Sequence, residues 1–394
     1  MGIRYDQALV LETALMRREM KKARMTLRPF AVIYERGHAS REPIAVTQID
    51  VVTPRRGNAD RAIGALNTLA FWGLALALCA ILGLRPIGDL WDDSNYLQAF
   101  QPTRFTSTNW YHYLIDEPLW SALTQLLGSF LDPVTSYRVV LFSSPAIFFL
   151  SANRIAGGDW LRVRWHSWMI LAAFVLDTSI GARLYISAIR QGFATSTFLL
   201  VAALGWPIIG ALAAGMIHTS LLVSAAVVGI ANSARRYPAL AGVLIVAIGL
   251  WGVATFLGLS PTLDDDFDLG RRTGVYTGVT GLNLLGDVVT GSIWTITLLL
   301  LQKTPSLWRT AAMVFVPVAL VLAMANGGFE RLFLDVDVFL LLAIACAIRT
   351  PQARLAGLVW LSASVALALW EASKGLDIRD SWLGQWKLAL ALKF

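Results

Sequence analysis

Residues 207–230 read PIIGALAAGMIHTSLLVSAAVVGI, and how they cross a membrane decides the topology of the whole chain. As one unbroken helix the stretch is long enough to span a bilayer. That reading puts Arg235-Arg236 outside and the acidic run Asp264-Asp265-Asp266-Phe267-Asp268 inside. It runs against the tendency of Lys and Arg to stay on the cytoplasmic side. Broken near 215–219, the stretch rises and then falls, and every later loop obeys the rule. Residues 264–272 are then outside, Lys303 and Arg309 inside, 327–331 outside, and Arg349 and Arg354 inside. A break is therefore expected, with His218 at it near the outer face, where irregular backbone has to line a cavity.

The surrounding composition makes a membrane the right solvent to reason in. Of 394 residues, 56% are hydrophobic and 15% charged, against about 25% charged in soluble domains. The 15 Trp and 18 Phe suit interfacial belts as well as packing. Cys79 and Cys346 both sit in apolar runs and read as small core residues. Zinc-ligand spacing, a Walker loop, a dinucleotide fingerprint and a Gly-x-Ser-x-Gly elbow are all missing from the sequence. No cofactor or metal is expected. The net charge of +7 resides mostly in cytoplasmic-looking segments, so it speaks of membrane orientation and not of nucleic acid.

Residues 1–61 are a different material, with a basic cluster from Arg17 to Arg28 and no apolar leader. They read as a basic cytoplasmic tail, in which 7–25 forms either an amphipathic helix on anionic lipid or a disordered segment. Residues 62–394 form the membrane domain. Its spans are expected at 62–84, 134–150, 165–180, 191–204, the broken 207–230, 239–259, 282–301, 310–324, 332–348 and 355–370. Residues 117–130 are too short to span and read as re-entrant or interfacial, and 380–394 as an interfacial amphipathic helix. The fold class is an all-α polytopic membrane protein with about ten or eleven transmembrane helices.

This topology gathers Asp92, Asp93, Glu117, Arg183, Arg190, His218, Arg271, Arg272 and Arg331 on the outer side. Ionisable groups in or beside spans are costly and mark functional sites. Each has a plain structural alternative. Arg190 snorkels, His218 packs in the core, Asp92-Asp93 caps a helix, Glu117 meets a helix dipole, Arg331 anchors a span end, and Arg271-Arg272 pairs with the acidic run. Outer arginines also suit a diphosphate, which Arg binds in a bidentate way. Glycosyl transfer from a polyprenyl diphosphate needs a stabilised leaving diphosphate, a base for the acceptor hydroxyl and groups that orient sugar hydroxyls. All three residue types are gathered on this side.

In order along the chain come Gly83-Leu84-Arg85, Asp92-Asp93-Ser94-Asn95-Tyr96, Glu117-Pro118-Leu119, Ile189-Arg190-Gln191-Gly192-Phe193-Ala194, His218-Thr219-Ser220 and Glu330-Arg331. Across about residues 80–350 this order resembles the EpsG family, a branch of the Wzy-like bacterial polysaccharide polymerases. The family's Gly-x-Asp position is contested here between Gly88-Asp89 and Asp92-Asp93. The resemblance implies a GT-C-like membrane fold in a bacterial inner membrane, with its N-terminus cytoplasmic and an outward-facing active site. Undecaprenyl-diphosphate-linked glycans would be donor and acceptor, with a chain-length-regulating co-polymerase as partner. It implies catalytic roles for Arg190, His218, Asp93 and Glu117, and substrate binding by Asp92, Tyr96, Arg183, Gln191, Arg271, Arg272 and Arg331. The rival readings are a GT-C glycosyltransferase or glycan ligase using a polyprenyl-phosphate sugar, and a lipid-linked oligosaccharide flippase.

Overall fold

A computed structural model describes residues 58–90, 92–101, 117–234, 284–325, 331–373 and 381–391. Residues 1–57 of the basic tail, the expected span at 239–259, the acidic run at 264–268 and Arg271-Arg272 lie outside the described residues. Of the described residues 84% are helical, in 14 helices and no strand. The protein is an all-α polytopic membrane protein.

The chain opens with α1 (Asn58–Leu84), then the short α2 (Asp93–Ala99) and α3 (Pro118–Phe130). Next are α4 (Pro133–Gly157) and α5 (Trp165–Leu176), followed by a π-helix, Thr178–Ser187. After these come α6 (Ile189–Ala203), α7 (Pro207–Gly215), α8 (Leu221–Ala234), α9 (Leu284–Leu300), α10 (Leu307–Ala325), α11 (Arg331–Ala347), α12 (Pro351–Ser373) and α13 (Trp382–Leu390). Proline opens α3, α4, α7 and α12, a position where its missing N–H costs nothing. Asp132 caps α4 by accepting from the Val134 and Thr135 amides at 3.0 Å each.

Among the described residues, three helices are long and apolar enough to cross a membrane: Arg61–Leu84, Pro133–Gly157 and Pro351–Trp370. The pair Trp165–Leu176 and Thr178–Ser187 makes a fourth if it is one span, bent by 65°. These are three or four of the ten or eleven spans expected. The helices α9, α10 and α11, of 17, 19 and 17 residues, sit at the short end of the usual range of about 17–25. At 13 residues, α3 is too short to span, as its sequence indicates.

The break in 207–230 is present. Helix α7 ends at Gly215, residues 216–220 turn, and α8 starts at Leu221. A Cβ on Gly215 would lie 2.3 Å from the Leu222 side chain, so the return is tight there and Leu222 would have to swing aside to admit a larger residue.

A second break was not expected. The stretch 165–180, read as one span, stops at Asp177. The Asp177 carboxylate accepts from the Ser179 and Ile180 amides at 2.9 Å each and from Ser364 Oγ at 2.8 Å. These bonds end α5 and start the wider π-helix, as a capping aspartate does. Gly181 makes the fold-back possible, since a Cβ there would sit 1.7 Å from the Phe174 carbonyl oxygen.

Helix α11 runs through the middle of the bundle, with nearly every side chain from Leu332 to Ala345 buried. Its neighbours include α4, α5, α10 and α12. Helices α4 and α6 meet through small and polar residues: Ser196 Oγ donates to the Ser144 carbonyl at 2.7 Å and shares a 2.9 Å bond with the Tyr185 hydroxyl. Close approach by small residues is how helices associate in lipid, where apolar burial offers no drive. The tail helix α13 packs one face against the bundle and leaves Leu383 and Leu390 exposed. Trp386 is buried, its ring 6.4 Å from that of Phe174.

Candidate functional site

The site is assembled at the start of α3. Glu117 precedes Pro118 with φ 70° and ψ 61°, the left-handed region that non-glycine residues rarely enter. It is the one non-glycine residue with positive φ among the described residues. The conformation turns the carboxylate inward, where it is 1% exposed. One oxygen accepts from Arg190 Nη1 and the other from the Thr219 amide at 3.3 Å. Beside it the Leu119 amide donates to the Met216 carbonyl at 3.0 Å. The mouth of α3 is thereby stitched to the turn between α7 and α8. Backbone strain held by surrounding contacts is characteristic of functional sites.

Arg190 stands in the first turn of α6 and is about a third exposed. Its Nε is buried with no hydrogen-bond partner among the described residues. Guanidinium carries five donors. Glu117 takes a bond at one terminal nitrogen, which leaves this group with donor capacity at a half-open position. Two residues on, a Cβ at Gly192 would lie 2.2 Å from the Leu184 carbonyl oxygen, so α6 leans on the π-helix only with glycine there.

His218 is buried in the turn, its Nδ1 bonded to Ser220 Oγ at 2.8 Å. Gln191 points into the bundle, 1% exposed, and donates to the Arg331 carbonyl at 3.0 Å and to Asp335 Oδ1 at 3.2 Å. Ser224 of α8 donates to the other oxygen of Asp335 at 3.2 Å. Gln191 is thus a strut that holds the mouth of α11 beside that of α6. Arg331 is exposed at the first position of α11.

Tyr96 of α2 is buried, its ring 5.6 Å from Tyr137 and 6.1 Å from Trp120. Burial pushes its phenol up in pKa. The Arg190 and Arg331 charges and a hydrogen bond from the Arg190 backbone pull it back, while Asp92 pushes it further up. Arg190, Arg331 and Asp92 therefore all lie within electrostatic reach of one phenol. Asp92 is half-buried at the start of α2 and makes no capping bond.

Asp93 does something else. Its carboxylate receives Arg85 Nη2 at 2.6 Å, Arg85 Nη1 at 3.0 Å, the Tyr137 hydroxyl at 2.8 Å and the Gly88 amide at 2.8 Å. Both partners are 1% exposed. Burial alone would raise the Asp93 pKa, but Arg85, Gly88 and Tyr137 together outweigh it and hold the carboxyl below its usual range. Each oxygen already accepts two of these bonds, and no face is left for a sugar. The expected catalytic role of Asp93 gives way to a structural one, the lock that closes the 85–93 turn against α4.

Arg183 lies half-buried in the π-helix, where its charge acts on Asp177. Among the described residues no group of three or more His, Cys, Asp or Glu side chains is placed to hold a metal ion. Two buried groups, Asp335 and Asp337, escaped the reading of the sequence, and Arg85 was noted there only within a motif, with no role of its own. Asp337 accepts from the indoles of Trp294 at 2.7 Å and Trp360 at 3.2 Å. Their signal was legible, since Asp335-Val336-Asp337 places two carboxylates in an otherwise apolar run.

Fold and site together define a helical membrane protein with a half-open arginine–carboxylate centre at a helix break. No family model matches the chain, and no curated protein or solved structure shows detectable similarity to it.

Proposed function

We propose that the chain is a membrane glycosyltransferase that polymerises undecaprenyl-diphosphate-linked repeat units into a secreted or surface polysaccharide. The setting is the outer face of a bacterial inner membrane, with the N-terminus in the cytoplasm. One observation carries the reading. Glu117 holds Arg190 and Thr219, and the adjoining Gln191 holds Arg331, so residues spread over more than half of the chain meet at one locus, with Arg190 left about a third exposed. The reaction class comes from the resemblance of these same segments to the EpsG family.

In this reaction the acceptor hydroxyl oxygen attacks the anomeric carbon of the donor sugar, and the bond from that carbon to the diphosphate oxygen breaks. The departing diphosphate takes up negative charge, which Arg190 and Arg331 neutralise. Glu117 aims Arg190. The hydroxyl proton passes to His218, whose ring is held in place by the Ser220 bond at Nδ1. Asp92 and Tyr96 flank the sugar, and Arg183, Arg271 and Arg272 are further candidates for phosphate contact. A chain-length-regulating co-polymerase is the expected partner.

The decisive variant is Arg190→Ala. It should abolish polymer while single lipid-linked units accumulate on the outer leaflet and the protein level stays normal. Polymer of unchanged length and yield would overturn the assignment, and units trapped on the inner leaflet would point to a flippase.

A further inference from the structure

One residue on from Arg190, Gln191 leads into a second polar cluster, inside the bundle. Asp335 of α11 is 2% exposed and takes hydrogen bonds from neutral groups. Gln191 Nε2 of α6 reaches one oxygen and Ser224 Oγ of α8 the other, both at 3.2 Å. These are looser than the bonds of about 2.5–2.9 Å that a charged carboxylate usually draws. No lysine or arginine nitrogen pairs with Asp335 among the described residues. A buried carboxylate without a countercharge is costly.

Two more oxygens beside it are left over. Gln191 spends its amide nitrogen on Asp335 and on the Arg331 carbonyl, and its Oε1 is buried with no hydrogen-bond partner among the described residues. Thr195, one turn further along α6 and 1% exposed, supplies the second. Thr68, Thr197, Thr295 and Thr297 each donate their hydroxyl to the carbonyl four residues earlier, at 2.7–2.9 Å, a common outlet for a hydroxyl in a helix. Thr195 Oγ1 makes no such bond and is buried with no partner among the described residues. It lies on the face of α6 turned to α11. Gln191, four residues before it, bonds Asp335, and Phe198, three residues after it, packs on Phe339 with ring centroids 5.8 Å apart.

A proton on Asp335 removes its charge and supplies one donor, fewer than the oxygens that wait for a partner. A cation removes the charge and uses them all, since hard cations take oxygen ligands, neutral ones included. One carboxylate balances one positive charge, which selects a monovalent ion over a divalent one. Asp335, Gln191, Thr195 and Ser224 are each at most 2% exposed, so the space among them suits a small ion. We propose that Asp335, Gln191 Oε1, Thr195 and Ser224 hold a small monovalent cation, sodium in size. The ion ties α6, α8 and α11 together within about a turn of the helix starts that carry Arg190, the His218 turn and Arg331. The inference does not rest on the reaction proposed above, and its test reads no polymer.

The test uses the full-length protein in a neutral detergent and choline chloride. Its melting midpoint is followed as sodium chloride replaces choline chloride at constant ionic strength. Sodium should raise the midpoint, and the rise should saturate. Potassium should need severalfold more for the same shift. Asp335→Asn, which keeps the shape and removes the charge, should abolish the sodium response. Thr195→Val should need about tenfold more sodium. Thr195→Ser, and Thr197→Val, which loses a hydroxyl spent on the Phe193 carbonyl, should titrate as the parent does. Should Asp335→Asn fail to fold, the threonine series decides alone. A midpoint unchanged by sodium, an equal response to potassium, an Asp335→Asn variant that keeps the sodium response, or a Thr195→Val variant that titrates like Thr197→Val would each overturn the proposal.

Discussion

At the scale of single residues, the contrast between Asp93 and Glu117 is instructive. Both are 1% exposed carboxylates paired with an arginine. Arg85 is as buried as its partner, whereas Arg190 is about a third exposed. One pair is a closed lock and the other an open device. Asp93→Asn should remove the lock and strand a buried Arg85 charge, costing about 3–5 kcal/mol. The readout is a lower melting midpoint and a smaller folded yield in detergent. Replacing both partners by apolar residues of similar volume should recover much of that loss.

The acid response follows from the same pair. The folded pKa of Asp93 lies below its ordinary value, so its stabilising contribution is fully present above the unfolded value of about 3.9. It is lost as pH falls through the depressed folded value. The melting midpoint should be insensitive to this group between pH 5 and 8 and fall below about pH 4. In Asp93→Asn the acid-dependent part due to this group should vanish. An unchanged acid profile in the variant would contradict the pairing.

Helices and their breaks form the next scale. The break at 216–220 was legible because His218-Thr219-Ser220 follows Gly215 in an apolar run, and because charge parity demands it. The break at Asp177 was visible only as a lone aspartate in a hydrophobic stretch. The cap itself is local, made to the Ser179 and Ile180 amides, but the bond that holds the buried carboxylate from the far side comes from Ser364, 187 residues away, and no local pattern carries that contact. The role of Asp93 was hidden for the same reason, since Tyr137 comes from the next long helix. Both breaks carry a glycine, and at Gly181 it is backbone that crowds it. Gly181→Ala should push α5 and the π-helix apart, because the added methyl meets backbone and not a side chain that can swing away. The expected result is a drop of several kcal/mol in stability, measured as loss of folded protein in detergent, while Gly73→Ala in α1, with nothing within 4 Å, should be neutral.

For the molecule as a whole, composition was enough for the class, and charge parity pointed to the break between α7 and α8. The central position of α11 was not readable, because a helix buried on all sides and a lipid-facing span have the same apolar composition. The two ends of α4 offer a direct test of the arrangement across the membrane. With both native cysteines replaced by alanine, a cysteine at Asp132 and one at Asp159 should react with an impermeant thiol reagent from opposite sides of intact vesicles. Labelling of both from one side would mean that α4 does not cross.

The seam between Glu117, Arg190 and Thr219 also has a consequence for biosynthesis. Glu117 leaves the ribosome 73 residues before Arg190 and 102 before Thr219. Until those partners arrive, its carboxylate belongs in water, and α3 has no reason to settle at its final depth. The chain therefore commits that segment late, after the α7–α8 turn has entered the bilayer. Nascent chains stalled before residue 219 should keep 117–130 open to protease, and those stalled well beyond it should not.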